Sequence, residues 1–172
     1  MKKITKAIIP TAGYGTRFLP ITKTIPKAML PIIDKPIIQN IIEEIVASGI
    51  ENVIIITKDN KHLIQDFFSQ DYDLETLLVK SNKGKELSLL KKITALGKLS
   101  TIQQTGPLGT GSAVLNAQNN ISQNEVFLVL YGDDLFITTP SITSQLIETY
   151  NKFQVPVLTG IKPTNPEGRN LY

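Results

Sequence analysis

The chain has 172 residues, enough for one domain with a true core; 41% are apolar and 19% charged, which excludes a disordered chain. Net charge is +3, from 18 basic and 15 acidic residues, and no basic run is interleaved with aromatics, so a small anionic ligand is expected and nucleic acid is not. There are no cysteines and no run near the ~18 apolar residues of a membrane span, so no disulfide and no membrane partner are expected, and the reading is a cytoplasmic protein.

Residues 1–6 begin with cations but lead straight into a strand, with no long apolar stretch after them, so no signal peptide is expected. Ala7, Ile8 and Ile9 form an uninterrupted apolar run, as for a strand covered on both faces. Gly13 and Gly15 follow, then Arg17 and Lys27. Pro20, Pro26, Pro31 and Pro36 forbid a continuous helix, so the stretch from Leu19 reads as a long, ordered, irregular loop. Pro36 is placed as a first helical residue, with Ile37, Ile38, Ile41, Ile42, Ile45 and Val46 at helical spacing and Gly49 as the stop. Residues 53–57 read as a buried strand. Asn60 is a candidate cap for a helix with Leu63, Ile64, Phe67 and Phe68 on its apolar face.

Residues 71–78 are helical in pattern, residues 82–84 interrupt it, and Leu87, Leu89, Leu90, Ile93 and Leu96 resume it up to Gly97. Lys80, Lys83, Lys85, Lys91 and Lys92 read as a solvated helix face. A strand is expected over 99–104, then a second glycine-rich turn at 105–111 and a short helix over 112–119. Residues 125–131 form another apolar strand, ending in Gly132-Asp133-Asp134. Thr139 and Pro140 read as cap and first residue of a helix that runs to Phe153, and a last strand is expected over 155–160. Strands alternate with helices throughout, without internal repeat or boundary. The predicted fold is α/β: a three-layer, Rossmann-like, mostly parallel sheet with helices on both faces.

A loop of free amides at Gly13 and Gly15 beside the guanidinium of Arg17 and the ammonium of Lys27 suits a polyphosphate, although an ordinary turn after a strand reads the same way. Asp133 stands at the carboxyl end of its strand, where open α/β sheets bind ligands and where a carboxylate can hold Mg²⁺; a plain Asp-Asp turn is the alternative. Gln104 offers both a donor and an acceptor to a base edge. Gln103 would face the other side of its strand. His62 is the sole histidine and reads as a solvated residue.

The run Thr22-Lys-Thr-Ile-Pro-Lys-Ala-Met-Leu-Pro-Ile-Ile-Asp-Lys-Pro36, with Gly15-Thr16-Arg17 ahead of it, closely resembles the signature of the sugar-nucleotide pyrophosphorylases. Its spelling is that of the UTP–glucose-1-phosphate uridylyltransferases rather than the thymidylyltransferase branch, whose use of dTTP is the neighbouring alternative. The resemblance implies an enzyme that forms UDP-glucose and pyrophosphate from UTP and glucose 1-phosphate, with Mg²⁺, by in-line displacement at the α-phosphorus. It implies Arg17 on the β and γ phosphates, Lys27 near the reacting centre and Asp133 on the metal. Asp134 is then a supporting group or a helix cap. The loop of Ala12, Gly13, Gly15 and Thr16 would hold the nucleotide, and Gln104 with Gly109 and Gly111 the base. Members of the family commonly self-associate.

Three departures stand out. Ala28 occupies a position where these enzymes commonly carry Glu. Gly111-Ser112-Ala113 replaces Gly-His-Ala. The later Glu-Lys-Pro segment and a second metal-binding Asp are absent. Residues 1–172 are therefore expected to be one nucleotide-binding domain lacking a C-terminal part, and a binding module or inactive fragment without transfer activity is a competing reading. A dinucleotide-dependent oxidoreductase fits poorly. The third glycine of Gly-x-Gly-x-x-Gly is missing, and Pro20 and Pro26 prevent the helix that should receive the pyrophosphate.

Overall fold

The computed structural model describes residues 3–58 and 62–160. Four parallel strands form one sheet in the order β5-β4-β1-β6: β1 (Lys6–Pro10), β4 (Asn52–Thr57), β5 (Lys98–Gln103) and β6 (Leu128–Val129). Between β1 and β4 lie a two-stranded antiparallel hairpin, β2 (Pro31–Ile32) and β3 (Lys35–Pro36), and helix α1 (Ile37–Ala47). Helices α2 (His62–Phe68), α3 (Tyr72–Lys80) and α4 (Gly84–Thr94) link β4 to β5, α5 (Thr110–Leu115) links β5 to β6, and α6 (Ile142–Phe153) follows.

Strand periodicity divides the core into two faces. Ala7, Ile9, Val53, Ile55, Leu128 and Leu130 point to the side carrying α1, α2 and α6, where they meet Ile38, Ile42, Ile45 and Ile64. Ile8, Ile54 and Ile56 point to the other side and pack on Ala113 and Ala117 at α5. The predicted three-layer α/β arrangement is thus present. Ala7, Ile8 and Ile9 are all fully buried, as the central strand of a doubly covered sheet requires. The lysines of α3, α4 and the turn between them are all exposed, as is His62. No helix among the described residues is long and apolar enough to cross a membrane.

Several expected boundaries differ. Pro36 is extended (φ −56°, ψ 146°) and caps α1 from β3 instead of opening the helix, and Gly49 (φ +88°) ends it. The helix expected over 112–119 is split into α5 and a 3₁₀ turn at Gln118–Asn120. The cap of α6 is Ser141, whose hydroxyl accepts the Ser144 amide at 3.2 Å, so Thr139 and Pro140 lie outside the helix. The strand expected over 125–131 has a two-residue ladder, although Leu130 and Gly132 still donate to Ile8 and Pro10 at 3.1 and 3.2 Å. No strand forms over 155–160. Val155 and Leu158 are exposed there, and apolar β-propensity without a neighbouring ladder does not make a strand. Asn60, the expected cap of α2, lies outside the described residues.

Candidate active site

The strand order contains a switch point. From β1 the chain winds outward through β4 to β5, then returns to place β6 on the opposite side of β1. Loops leaving the carboxyl ends of β1 and β6 therefore diverge and leave a crevice, the place where open α/β sheets bind ligands. A cavity of about 380 Å³ occupies it, lined by residues 10–18, Lys27, Ala28, Gln104, residues 108–110, Ala113 and residues 131–133.

The β1 loop is tied down at its start and at its glycine. Thr11 donates through its amide and its hydroxyl to the Ile56 carbonyl, at 2.7 and 2.9 Å, carrying the ladder one residue past β1. Gly15 is left-handed (φ +60°), and a Cβ there would press on Thr22 Cγ2 at 3.0 Å, so any side chain would be both strained and crowded. The Thr22 hydroxyl donates to its carbonyl at 2.8 Å. A single 3₁₀ turn, Thr16–Phe18, follows and presents Arg17 to solvent at the crevice rim. Among the described residues Arg17 makes no salt bridge. Gly13 differs from Gly15: its φ is not left-handed and a Cβ there would meet nothing within 4 Å. The fold does not demand glycine at 13; the space a side chain would fill belongs to the crevice.

Lys27 opens another 3₁₀ turn, Lys27–Met29, closed by Leu30 N donating to the Lys27 carbonyl at 3.0 Å. Ala28, the departure from the usual Glu, is 2% exposed and packs into the core, which anchors the turn. The Lys27 ammonium reaches Asp133 Oδ2 at 2.5 Å and lies 5.1 Å from the centre of the Phe18 ring. Gly132 brings Asp133 there. Its amide donates to Pro10 O at 3.2 Å, and a Cβ would overlap Thr11 Cγ2, so the ends of β6 and β1 close on each other through a missing side chain. Burial pushes the Asp134 carboxyl above its ordinary value; Asp133 beside it pushes the same way and Lys27 opposes both.

Gln104 continues β5 by donating to Thr57 O at 2.7 Å, and its side-chain Nε2 donates to Pro107 O at 3.2 Å. Gly109 (φ +136°) caps α5. Asn116 pins this second turn by accepting from the Thr105 amide at 2.9 Å and hydroxyl at 3.0 Å, while its Nδ2 donates to Ser112 O at 2.8 Å.

Ala12, Gly13, Gly15, Thr16, Arg17, Lys27, Gln104, Gly109 and Asp133 are thus gathered around one cavity, whereas Gly111 and Asp134 do not line it. Tyr14, Phe18, Leu108, Thr110 and Tyr131 line it without having been singled out by sequence. Phe18 and Tyr131 had a signal, each lying within two residues of a named charge. No group of three or more His, Cys, Asp or Glu side chains occurs among the described residues. Asp133 is the one carboxylate among the cavity's lining residues, and one carboxylate is compatible with Mg²⁺ where phosphates and water supply the remaining oxygens.

The UTP–glucose-1-phosphate uridylyltransferase of Bacillus subtilis (strain 168) is 48% identical over 172 residues, spanning 100% of this chain and 58% of that protein. An apo UDP-glucose pyrophosphorylase superposes with a TM-score of 0.79 at 42% identity, covering 88% of this chain and 56% of the other. A UDP-glucose pyrophosphorylase complexed with UDP-glucose superposes with a TM-score of 0.75 at 42% identity, covering 88% and 55%. The chain spans a little over half the length of the curated relatives it matches. Residues 6–170 match the nucleotidyl transferase family, and since that stretch takes in every element from β1 to α6, the chain belongs to this family.

Proposed function

We propose that this chain is the nucleotide-binding domain of a UTP–glucose-1-phosphate uridylyltransferase. One observation carries the reading: Lys27 and Asp133, separated by 106 positions, meet across a switch-point crevice whose wall also holds the glycine loop and Arg17. A nucleoside triphosphate and a sugar phosphate repel each other, so their union needs fixed positive charge and amides aimed at the phosphates. The 12–16 loop supplies amides, with Gly13 leaving room for a close approach. Arg17 binds the β and γ phosphates from the rim. Lys27 orients the α-phosphate for in-line attack. Gln104, at the end of β5, reads the uracil edge, and Gly109 keeps the backbone beside it low. Asp133 would hold Mg²⁺, which when bound supplies charge neutralisation between phosphate oxygens. UDP-glucose in the neighbouring solved structure supports the choice of sugar nucleotide. The setting is a cytoplasmic, reducing one.

Pyrophosphate release with glucose 1-phosphate and Mg²⁺, UTP against dTTP, tests this. Release with UTP is expected. Preference for dTTP moves the chain to the thymidylyltransferases. UTP binding by calorimetry without release makes it a nucleotide-binding module, and no UTP binding ends the reading.

A further inference from the structure

The Lys27–Asp133 contact joins two groups whose backbones are both fixed. Lys27 stands on a turn anchored by the buried Ala28, and Asp133 follows the Gly132 closure onto Thr11. The side chains themselves are 23% and 36% exposed, so the pair can open by moving the lysine stem alone, without disturbing the core. The ammonium at 2.5 Å from Oδ2 leaves Oδ1 to a divalent cation, but a cation bound there stands within a few ångströms of the Lys27 charge, so the two repel and the pair weakens metal binding while it lasts. A polyphosphate in the same cavity offers Lys27 other oxygens, and Arg17 beside it draws such a ligand in.

We infer that Lys27 gates Asp133: its ammonium and a divalent cation compete by charge for the Asp133 carboxylate, so the metal binds well only when a polyphosphate takes Lys27 away. The inference rests on the reading of Asp133 as the metal ligand. By linkage, metal and polyphosphate each raise the affinity for the other, and free metal binds the empty cavity weakly.

Mn²⁺ binding to the nucleotide-free 172-residue chain, read from the resonance of the free aqueous ion, tests the gate without turnover. Lys27→Met is expected to tighten Mn²⁺ binding about fivefold, the scale of one partly exposed ion pair. Lys27→Arg, which keeps the charge, is expected to stay within about twofold of the parent chain. An unchanged or weaker Lys27→Met affinity overturns the gate. The double variant Lys27→Met, Asp133→Asn separates the two ideas: loss of the gain keeps Asp133 as the ligand, whereas binding as tight as in Lys27→Met sinks the metal assignment and the gate with it. The unmodified chain gives an independent readout. Acetylation of Lys27, followed by mass spectrometry, is expected to speed up when Mn²⁺ is added, and an unchanged rate also overturns the gate.

Discussion

Gly132 and Gly13 both line the cavity, for opposite reasons, and this difference can be measured. A methyl group at 132 would overlap Thr11 Cγ2 and press on Ile9 Cγ2 at 3.1 Å, so Gly132→Ala must part β6 from β1. It is expected to cost about 1–3 kcal/mol of stability, as overpacking does, seen as a lower urea midpoint at unchanged slope. Gly13→Ala meets no neighbour. Its stability change is expected within about 0.5 kcal/mol, while UTP affinity by calorimetry falls, because the methyl intrudes where the ligand approaches. A Gly13→Ala chain that binds UTP normally would remove Gly13 from the site. These residues also mark what a one-dimensional reading reaches. Arg17, Lys27 and Gly15 lie in one continuous motif and are legible from local chemistry. The need for Gly132 comes from a strand 121 and 123 positions earlier, at Thr11 and Ile9, and Asn116 matters only because the turn at Thr105 folds back on it.

Two glutamates hold the later elements to the earlier ones. Glu44 of α1 accepts from the Thr143 amide at 2.9 Å and from its hydroxyl at 2.6 Å, which caps α6 from another helix, and Thr143 is fully buried. Glu44→Ala strands both donors and is expected to cost about 1–3 kcal/mol, with Glu44→Gln, which keeps an acceptor, costing less in the same urea titration. Glu125 ties the approach to β6 onto β1. It accepts from the Ser122 amide at 2.8 Å and from Lys6 at 2.9 Å, and these contacts, the Ser122 amide first, hold its carboxyl below the ordinary value. A depressed folded value means stability that is present above the ordinary glutamate range and is lost as pH falls through the depressed one. Glu125→Gln is therefore expected to lower the unfolding midpoint near neutral pH and to match the parent chain in acid; a penalty that persists in acid would assign the effect to packing. The elements themselves differ in legibility for a physical reason. β1, β4 and α1 carry their own apolar pattern and stops. The β2–β3 hairpin turns at Ile33, a β-branched residue at φ +63° where glycine is the usual choice, so nothing local announces it. β6 and residues 155–160 depend on neighbours for their ladder, and apolar runs alone overstate both.

Across the whole molecule, the cavity lies on the seam between these two sets of elements. On one side are β1, β4 and β5, paired along their full lengths; on the other is β6, held to the sheet by a two-residue ladder and the contacts just described. Local stability follows such pairing, so the β6 side is expected to open first. A ligand that touches the 12–17 loop and Gln104 on one side and Asp133 on the other closes the seam, and its binding energy appears as folding stability. At a free UTP concentration of ~100 times Kd the gain is about 2.7 kcal/mol. That corresponds to a rise in Tm of roughly 5–10 °C for a chain of this size. Arg17→Ala removes one charged contact and is expected to lose part of this shift at equal UTP, since affinity falls by about tenfold or more. Hydrogen exchange locates the effect: if the ligand bridges the seam, opening of the β6 side also breaks the site, so amides of residues 128–132 and of α6 are expected to slow on UTP binding by as large a factor as those of β4. The β4 amides lie in the centre of the sheet and are expected to exchange through global unfolding. Slowing of the β4 amides with unchanged exchange at 128–132 and α6 would mean that the β6 side opens with the ligand still bound, and the crevice would then bind from one wall only.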